Sequence, residues 1–124
     1  MQPLPACLGL LCIVLAGCQG NTLPPDTDPA QGRAALTTVL DTWKKGGTPA
    51  DLQSAALPIV AYDPDWEAGH KLVKYEIDPT DRRIGMDFLV SVKLTLDRKD
   101  GKSQDKTVKF TVAIGERTVV TRKQ

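Results

Sequence analysis

Residues 84–96 read IGMDFLVSVKLTL, and this stretch decides the fold. All seven even-numbered positions carry large apolar side chains, whereas the odd-numbered positions carry Gly, Asp, Leu, Ser, Lys and Thr. A period of two is typical of a β-strand, because successive side chains point to opposite faces of a sheet. We therefore predict a long strand that buries its even-numbered side chains.

A partner strand follows at residues 106–114, where Val108, Phe110, Val112 and Ile114 again place apolar side chains at even positions. Directly opposed residues of an antiparallel pair share a face, so the length of the loop sets the register. A three-residue loop with Gly101 as a left-handed bulge residue pairs even with even positions and sets Val92 opposite Val108. A two-residue loop would pair even with odd positions and so place core residues opposite solvent-facing residues. We therefore predict the three-residue loop.

A preceding strand is predicted over residues 71–77. Asp78-Pro79-Thr80-Asp81 has the residues of a type I turn, with proline at the second position. A hairpin with residues 79–82 as its loop would place Lys74 opposite Asp87 on the outer face of the sheet. This ion pair is the expected role of the Asp87 carboxylate, in preference to a catalytic one.

Two helices precede the strands. Asp28-Pro29-Ala30-Gln31 is a capping-box start, and the apolar positions that follow form one stripe: Leu36, Val39, Leu40 and Trp43. With Gly46 as the C-terminal cap, these signals predict a helix over residues 29–45. A second start at Thr48-Pro49-Ala50-Asp51 predicts a short helix that ends near Ala56.

The predicted fold class is α+β. One long and one short N-terminal helix pack on a curved antiparallel β-meander of about four strands. The last strand covers about residues 117–123, and its inward face is ambiguous because Val119 and Val120 are adjacent. Residues 59–62 are expected to add a short edge strand.

The N-terminus carries the clearest functional motif. Leu15-Ala16-Gly17-Cys18 follows an apolar run that is too short to span a membrane. It resembles the lipobox of bacterial lipoproteins, although the residues before the run lack Lys and Arg. The alternative is a chance cysteine in an uncleaved anchor. The resemblance implies a signal peptide at residues 1–17 and a Cys18 that carries diacylglycerol and an N-acyl chain.

The same resemblance implies a location. Gln19 is not the aspartate that retains lipoproteins in the inner membrane, so we expect a cell-envelope protein on the periplasmic face of the outer membrane in a Gram-negative cell. The expected tether covers residues 18–27, and the expected domain covers residues 28–124. Cys7 and Cys12 would leave with the signal peptide, so the mature domain would have no disulfide.

The charges of the chain nearly cancel, with 16 Lys and Arg against 15 Asp and Glu. This balance argues against nucleic-acid binding, which usually shows a basic excess. We expect no metal ion and no cofactor other than the lipid on Cys18.

The densest polar cluster lies at residues 63–70. The candidate functional loop comprises Asp63, Asp65, Trp66, Glu67 and His70. Its spacing matches no calcium loop, and one histidine does not build a zinc site unless distant acids join it. The plainer interpretation is a capped turn that buries Trp66 over one end of the core.

A second candidate is a small apolar spot on the outer sheet face. Leu72 is expected opposite Leu89, with Ala113 nearby. Such a spot would serve self-association or the binding of an envelope protein, whereas scattered apolar surface residues are also ordinary.

The order of elements resembles cystatin-like and nuclear-transport-factor-2-like folds. Enzymes of the second group place carboxylates or tyrosines between helix and sheet, whereas the predicted inward positions here offer only the Tyr75 hydroxyl. The Gln-x-Val-x-Gly hairpin of inhibitory cystatins is absent. We therefore expect a non-enzymatic binding or structural accessory domain without catalytic residues. The alternative is a small-ligand-binding or hydrolase-like cone lined by Tyr75 and capped by Trp43 or Trp66.

Overall fold

The computed structural model describes residues 27–124, and it confirms the α+β class. The helices are α1 (Pro29–Lys44), α2 (Pro49–Gln53) and α3 (Pro64–Glu67). The strands are β1 (Ile59–Tyr62), β2 (Lys71–Ile84), β3 (Asp87–Asp97), β4 (Ser103–Ile114) and β5 (Thr118–Lys123). The signal peptide at residues 1–17 and the lipidation of Cys18 lie outside the described residues.

The five strands form one mixed sheet in the order β1-β5-β4-β3-β2. Strands β2 to β5 are consecutive antiparallel neighbours, whereas β1 is parallel to β5. The expected four-stranded meander is therefore matched only in part. The parallel pairing arises because the chain leaves β1 through α3 and enters the sheet again at its opposite edge.

The β3–β4 hairpin has the predicted register. Val92 lies opposite Val108. The Arg98 N–H donates to the Lys102 carbonyl at 2.8 Å, which leaves a three-residue loop with Gly101 at φ +90°. In the β4–β5 pairing, Val120 lies opposite the fully buried Val112, so of the two adjacent valines Val120 is the inward residue of β5.

The predicted turn at residues 79–82 is wrong. Strand β2 continues to Ile84, and Gly85 at φ +61° begins the connection to β3. Ile77 pairs with Val92 and Asp81 pairs with Val90, so residues 78–80 form a bulge. The Asp78 carboxylate accepts bonds from the Thr80 N–H (2.8 Å) and hydroxyl (2.7 Å), so the local turn chemistry is satisfied inside a strand.

A long-range contact holds this bulge. Arg33 of α1 donates to the carbonyls of Asp78 (2.8 Å) and Pro79 (2.9 Å), and it also binds the Asp81 carboxylate at 2.9 Å. Backbone carbonyls left unpaired by a bulge need such donors. The helix therefore stabilises an irregular strand where local sequence favours a turn.

The displaced turn changes several predicted contacts. Lys74 lies opposite Thr95, and Asp87 lies opposite Ile84, so the expected Lys74–Asp87 pair is wrong. Ile84 (40% exposed) and Met86 (48% exposed) lie outside the core, although the alternation had predicted both to be buried.

The core lies between α1 and the inner face of the sheet. All four residues of the predicted helical stripe are buried, and Asp28 caps the helix by accepting the Ala30 N–H at 3.4 Å. The four stripe residues pack against the inward side chains of the strands. The largest fully buried of these strand side chains are Phe88, Phe110, Leu94 and Leu96. No helix in residues 27–124 is long and apolar enough to cross a membrane.

Candidate functional site

The acidic loop at residues 63–70 packs over two cations on the inner face of the sheet. Arg122 lies opposite Phe110, and Lys106 lies opposite Leu94, so each cation shares a face with a core residue. Charged side chains at such positions need partners of opposite charge. Helix α3 supplies them.

Asp63 and Asp65 are those partners. The Asp63 carboxylate accepts the N–H groups of Asp65 (2.8 Å) and Trp66 (3.2 Å), which caps α3, and it lies 3.4 Å from Arg122. The Asp65 carboxylate binds Arg122 as well, and it binds Lys106 at 2.9 Å. Two carboxylates and two cations therefore form one cluster at the end of the core.

The two carboxylates differ in their proton affinity. Burial raises the pKa of Asp63 above its usual range, because desolvation outweighs the Arg122 charge and the two backbone hydrogen bonds. Burial also acts to raise the pKa of Asp65, but hydrogen bonds from Lys106 and Arg122 outweigh it and lower the pKa. Asp65 is thus the firmly ionised member of the cluster.

The aromatic and histidine groups of this loop have internal partners too. Trp66 stacks on Trp43 with ring centroids 5.6 Å apart, and its indole N–H donates to the Gly47 carbonyl at 3.0 Å. The Trp43 indole donates to the His70 carbonyl at 2.8 Å, and His70 Nδ1 accepts the Lys99 N–H at 2.9 Å. These contacts close the loop over the core.

The geometry therefore favours a structural role for the candidate loop. Its buried carboxylates are held by cations, and of the predicted members only Glu67 is exposed. Among residues 27–124, no three His, Cys, Asp or Glu side chains come together in a way that would hold a metal ion.

The space between helix and sheet, which the alternative hypothesis requires as a ligand cone, is occupied by packed side chains. Trp43 (3% exposed) and Trp66 (7% exposed) are part of this core. The Tyr75 hydroxyl donates to Asp41 Oδ1 at 2.6 Å. Burial, together with this bond, raises the pKa of Tyr75 to about 12, so the phenol is a poor general acid or base near neutral pH.

The predicted apolar spot on the outer face does not form as expected. Leu72 is a core residue, 3% exposed and opposite Leu96 rather than Leu89. The pairing shifts because β2 contains two irregularities, one after Leu72 and one after Ile77, and a shift of register exchanges the faces. Ala113 is half-buried opposite Val119.

Leu89 instead contributes to an open groove of about 650 Å³, which we call the outer-face groove. Leu89 is 8% exposed there and lies opposite Arg82 on β2 and Thr111 on β4. The residues that line this groove are Pro64, Arg82, Ile84, Leu89, Thr107, Val108, Lys109, Arg122, Lys123 and Gln124. Arg122 is held by Asp63 and Asp65, so the groove combines apolar contacts with three further cations.

Two of those cations lie directly opposite each other, Lys109 on β4 and Lys123 on β5. Like charges at such positions repel, which costs stability in a folded domain. Within the described part of the chain, no carboxylate forms an ion pair with Lys109, Lys123 or Arg82. An anionic group in the groove would relieve this repulsion.

Sequence reasoning missed this feature because it depends on the β4–β5 register. That register was undetermined as long as the inward face of β5 was ambiguous. Compared with known proteins, the chain matches no family model, no curated protein and no solved structure, so its candidate function rests on its own residues.

Proposed function

We propose that this protein is a lipoprotein of the bacterial cell envelope whose non-enzymatic domain binds an acidic partner protein through the outer-face groove. The lipobox Leu15-Ala16-Gly17-Cys18 supports the anchor, and Gln19 supports the periplasmic face of the outer membrane. Two or more acyl chains hold a protein on a membrane far more firmly than one chain does. The resemblance to cystatin-like and nuclear-transport-factor-2-like domains remains part of this proposal.

The proposed binding to an acidic partner rests on Lys109 and Lys123, whose like charges lie directly opposite each other on β4 and β5. A repulsive pair is retained on an exposed face at a cost in stability, and Arg82 adds a third charge to the same groove. Leu89 offers an apolar contact among these cations. An acidic segment with one apolar side chain complements both properties.

The packing of the inner face supports this choice over the small-ligand-binding or hydrolase-like alternative. The side chains between α1 and the sheet are buried against one another, and Tyr75 is engaged by Asp41. A ligand cone would need several of these side chains to move, which creates cavities that destabilise a small domain.

Photo-crosslinking in living cells tests the groove. A photoreactive residue at Thr107 on the groove is compared with one at Ala34 on the exposed side of α1, each in the full-length protein. Capture at position 107 only is expected, and the Lys109→Glu/Lys123→Glu double variant should abolish it. The double variant Lys44→Glu/Lys102→Glu changes the net charge equally and should retain capture.

Equal capture by the two double variants would refute the groove as the binding surface. The anchor is tested separately by growing the cells with a labelled fatty acid, which the native protein should incorporate and Cys18→Ala should not. If the native protein incorporates no labelled fatty acid, the lipoprotein assignment is wrong.

A further inference from the structure

One end of the sheet carries an exposed apolar rim, which we define as Leu57, Ile84 and Met86. Ile84 is the last residue of β2, Met86 lies in the turn between β2 and β3, and Leu57 (83% exposed) lies two residues before the start of β1. Ile59 at the start of β1 pairs with Thr118, which in turn pairs with Ile114 at the end of β4. The start of β1 therefore lies at the same end of the sheet as the β4–β5 turn. The rim thus spans the end of the sheet.

Thr27 is attached to this same end. Its N–H donates to the Met86 carbonyl at 3.0 Å, and its hydroxyl accepts the Ile114 N–H at 3.0 Å. Arg83 donates to its carbonyl at 3.3 Å. Thr27 is 3% exposed, so this residue, which the sequence had assigned to the tether, is a fixed part of the domain.

The anchor is therefore tied close to the rim. Only residues 19–26 separate Cys18 from Thr27. A fully extended chain of this length spans roughly 30 Å, and a flexible one spans on average about 15–18 Å. If Cys18 is acylated, the end of the domain that carries the rim is held within reach of the lipid headgroups.

We propose that Leu57, Ile84 and Met86 insert into the bilayer interface beside the acylated Cys18, so that the domain stands on the membrane on this end of its sheet. The inference rests on the proposed lipid anchor and deepens it. Three large apolar side chains at the ends of connections match the interfacial depth that amphipathic segments occupy, and the nearby tether removes most of the entropic cost of association.

The charges around the rim indicate which force acts. The cations Arg33, Arg82, Arg83 and Arg117 equal in number the acidic residues of the same connections and of the helix start, namely Asp28, Asp81, Asp87 and Glu116, although Arg82 itself is in no ion pair among residues 27–124. A balanced rim gains little from anionic headgroups, so apolar insertion is the main contribution. Insertion should therefore withstand salt that screens charge attraction.

The opposite end of the sheet provides an internal control. The β3–β4 turn there reads Arg98-Lys99-Asp100-Gly101-Lys102 and carries no apolar side chain. In the proposed orientation this turn points away from the membrane. The outer-face groove would face sideways: its end at Ile84 would meet the bilayer, whereas Thr107, Lys109 and Lys123 would stay open to a partner.

Site-specific fluorescence tests the orientation. The lipidated protein has no free thiol if Cys18 is acylated and Cys7 and Cys12 are removed with the signal peptide. Single variants Met86→Cys, Leu57→Cys and Lys102→Cys are labelled with a polarity-sensitive dye and reconstituted into vesicles of phosphatidylethanolamine and phosphatidylglycerol. The labels at 86 and 57 should show a blue-shifted emission that lipids spin-labelled near the headgroup quench, and that high salt preserves. The label at 102 should report water.

Two results would overturn the proposal. Water-like emission at positions 86 and 57 in vesicle-bound protein refutes the insertion while it leaves the anchor intact. Failure of the native protein purified from cells to sediment with vesicles refutes the anchor, and with it the insertion. Thermal unfolding of each labelled variant identifies any loss of fold. If one variant is unfolded, the label at the other rim position, 57 or 86, still tests the insertion.

Discussion

Replacing Arg122 by methionine tests the charge cluster at the end of the core. Methionine keeps most of the aliphatic stem of the arginine and removes its charge. Asp63, which is 2% exposed, then loses the only cation that pairs with it among residues 27–124. Asp65 keeps Lys106 at 2.9 Å. The variant therefore creates one uncompensated carboxylate in the core rather than two.

The expected loss is large for a domain of this size. Removing one partner of a buried ion pair costs about 3–5 kcal/mol, and we expect the lower end, about 3 kcal/mol, because two backbone N–H groups still bind Asp63. Folded domains are stable by about 5–15 kcal/mol, so Arg122→Met should remove a substantial part of the free energy of unfolding.

The loss should shrink in acid. Burial already raises the pKa of Asp63, and removing Arg122 raises it further, since the Arg122 charge lowers it in the native protein. A carboxyl group with a raised folded pKa favours the folded state below its unfolded value, and this contribution disappears as pH rises through the folded pKa. The difference between native protein and variant is thus full near neutral pH and declines as the pH approaches 3.8.

Urea unfolding of the detergent-solubilised protein, followed by tryptophan fluorescence, measures this loss. Both tryptophans lie in the stacked pair Trp43–Trp66 beside the cluster. Lys123→Met on the same strand is the matched control; it removes a charge that repels Lys109 and should therefore not lower stability. Adding Asp63→Asn to Arg122→Met should recover part of the loss. A loss below about 1 kcal/mol at neutral pH, or one that does not decline in acid, would refute the reasoning.

Two further substitutions test packing and hydrogen bonding. Tyr75→Phe removes the bond to Asp41 and should lower the free energy of unfolding by about 1 kcal/mol below pH 10.0. This difference disappears as the pH rises toward the folded pKa of about 12. Unfolding at several alkaline pH values measures the difference, and a constant value would contradict the linkage. Gly32→Ala places a Cβ 2.6 Å from the Phe88 ring and should lower the free energy of unfolding by about 1–3 kcal/mol. The control Gly115→Ala meets nothing within 4 Å and should leave stability unchanged. Equal melting temperatures of the two variants would contradict the Gly32–Phe88 contact.

Local signals predicted the elements whose contacts are local. The α1 helix has its cap, apolar stripe and terminal glycine within one segment; it begins at Pro29 as predicted and ends at Lys44, one residue before the predicted end. The β3–β4 hairpin joins two adjacent strands, so parity and loop length fix its register. In both cases each residue that decides the structure lies near the others in sequence.

The β2–β3 connection was predicted wrongly because its decisive contact is distant. Asp78-Pro79-Thr80 satisfies its own hydrogen bonds equally well in a turn or in a bulge. Arg33, which is far away in sequence, selects the bulge, and Gly85 then provides the turn. Local turn chemistry does not discriminate between these two outcomes.

The candidate site followed the same division. The sequence grouped Asp63, Asp65 and Trp66 correctly as a capped turn, but their partners Arg122 and Lys106 come from strands paired much later in the chain. The opposed lysines of the outer-face groove likewise depend on a register that local alternation leaves open. Distant pairings therefore decide which charged residues are satisfied and which remain available.

The parallel pairing of β1 with β5 has a consequence for how the protein folds. Ile59 pairs with Thr118, and β1 has no other neighbour in the sheet that residues 27–124 form. The hairpins β2–β3 and β3–β4 can form early from adjacent segments, but β1 must wait until the last strand has docked on β4. Such long-range closure is slow, because the entropy of a large loop is lost before the contacts form. A chain shortened before Thr118 would leave β1 unpaired and exposed to proteases.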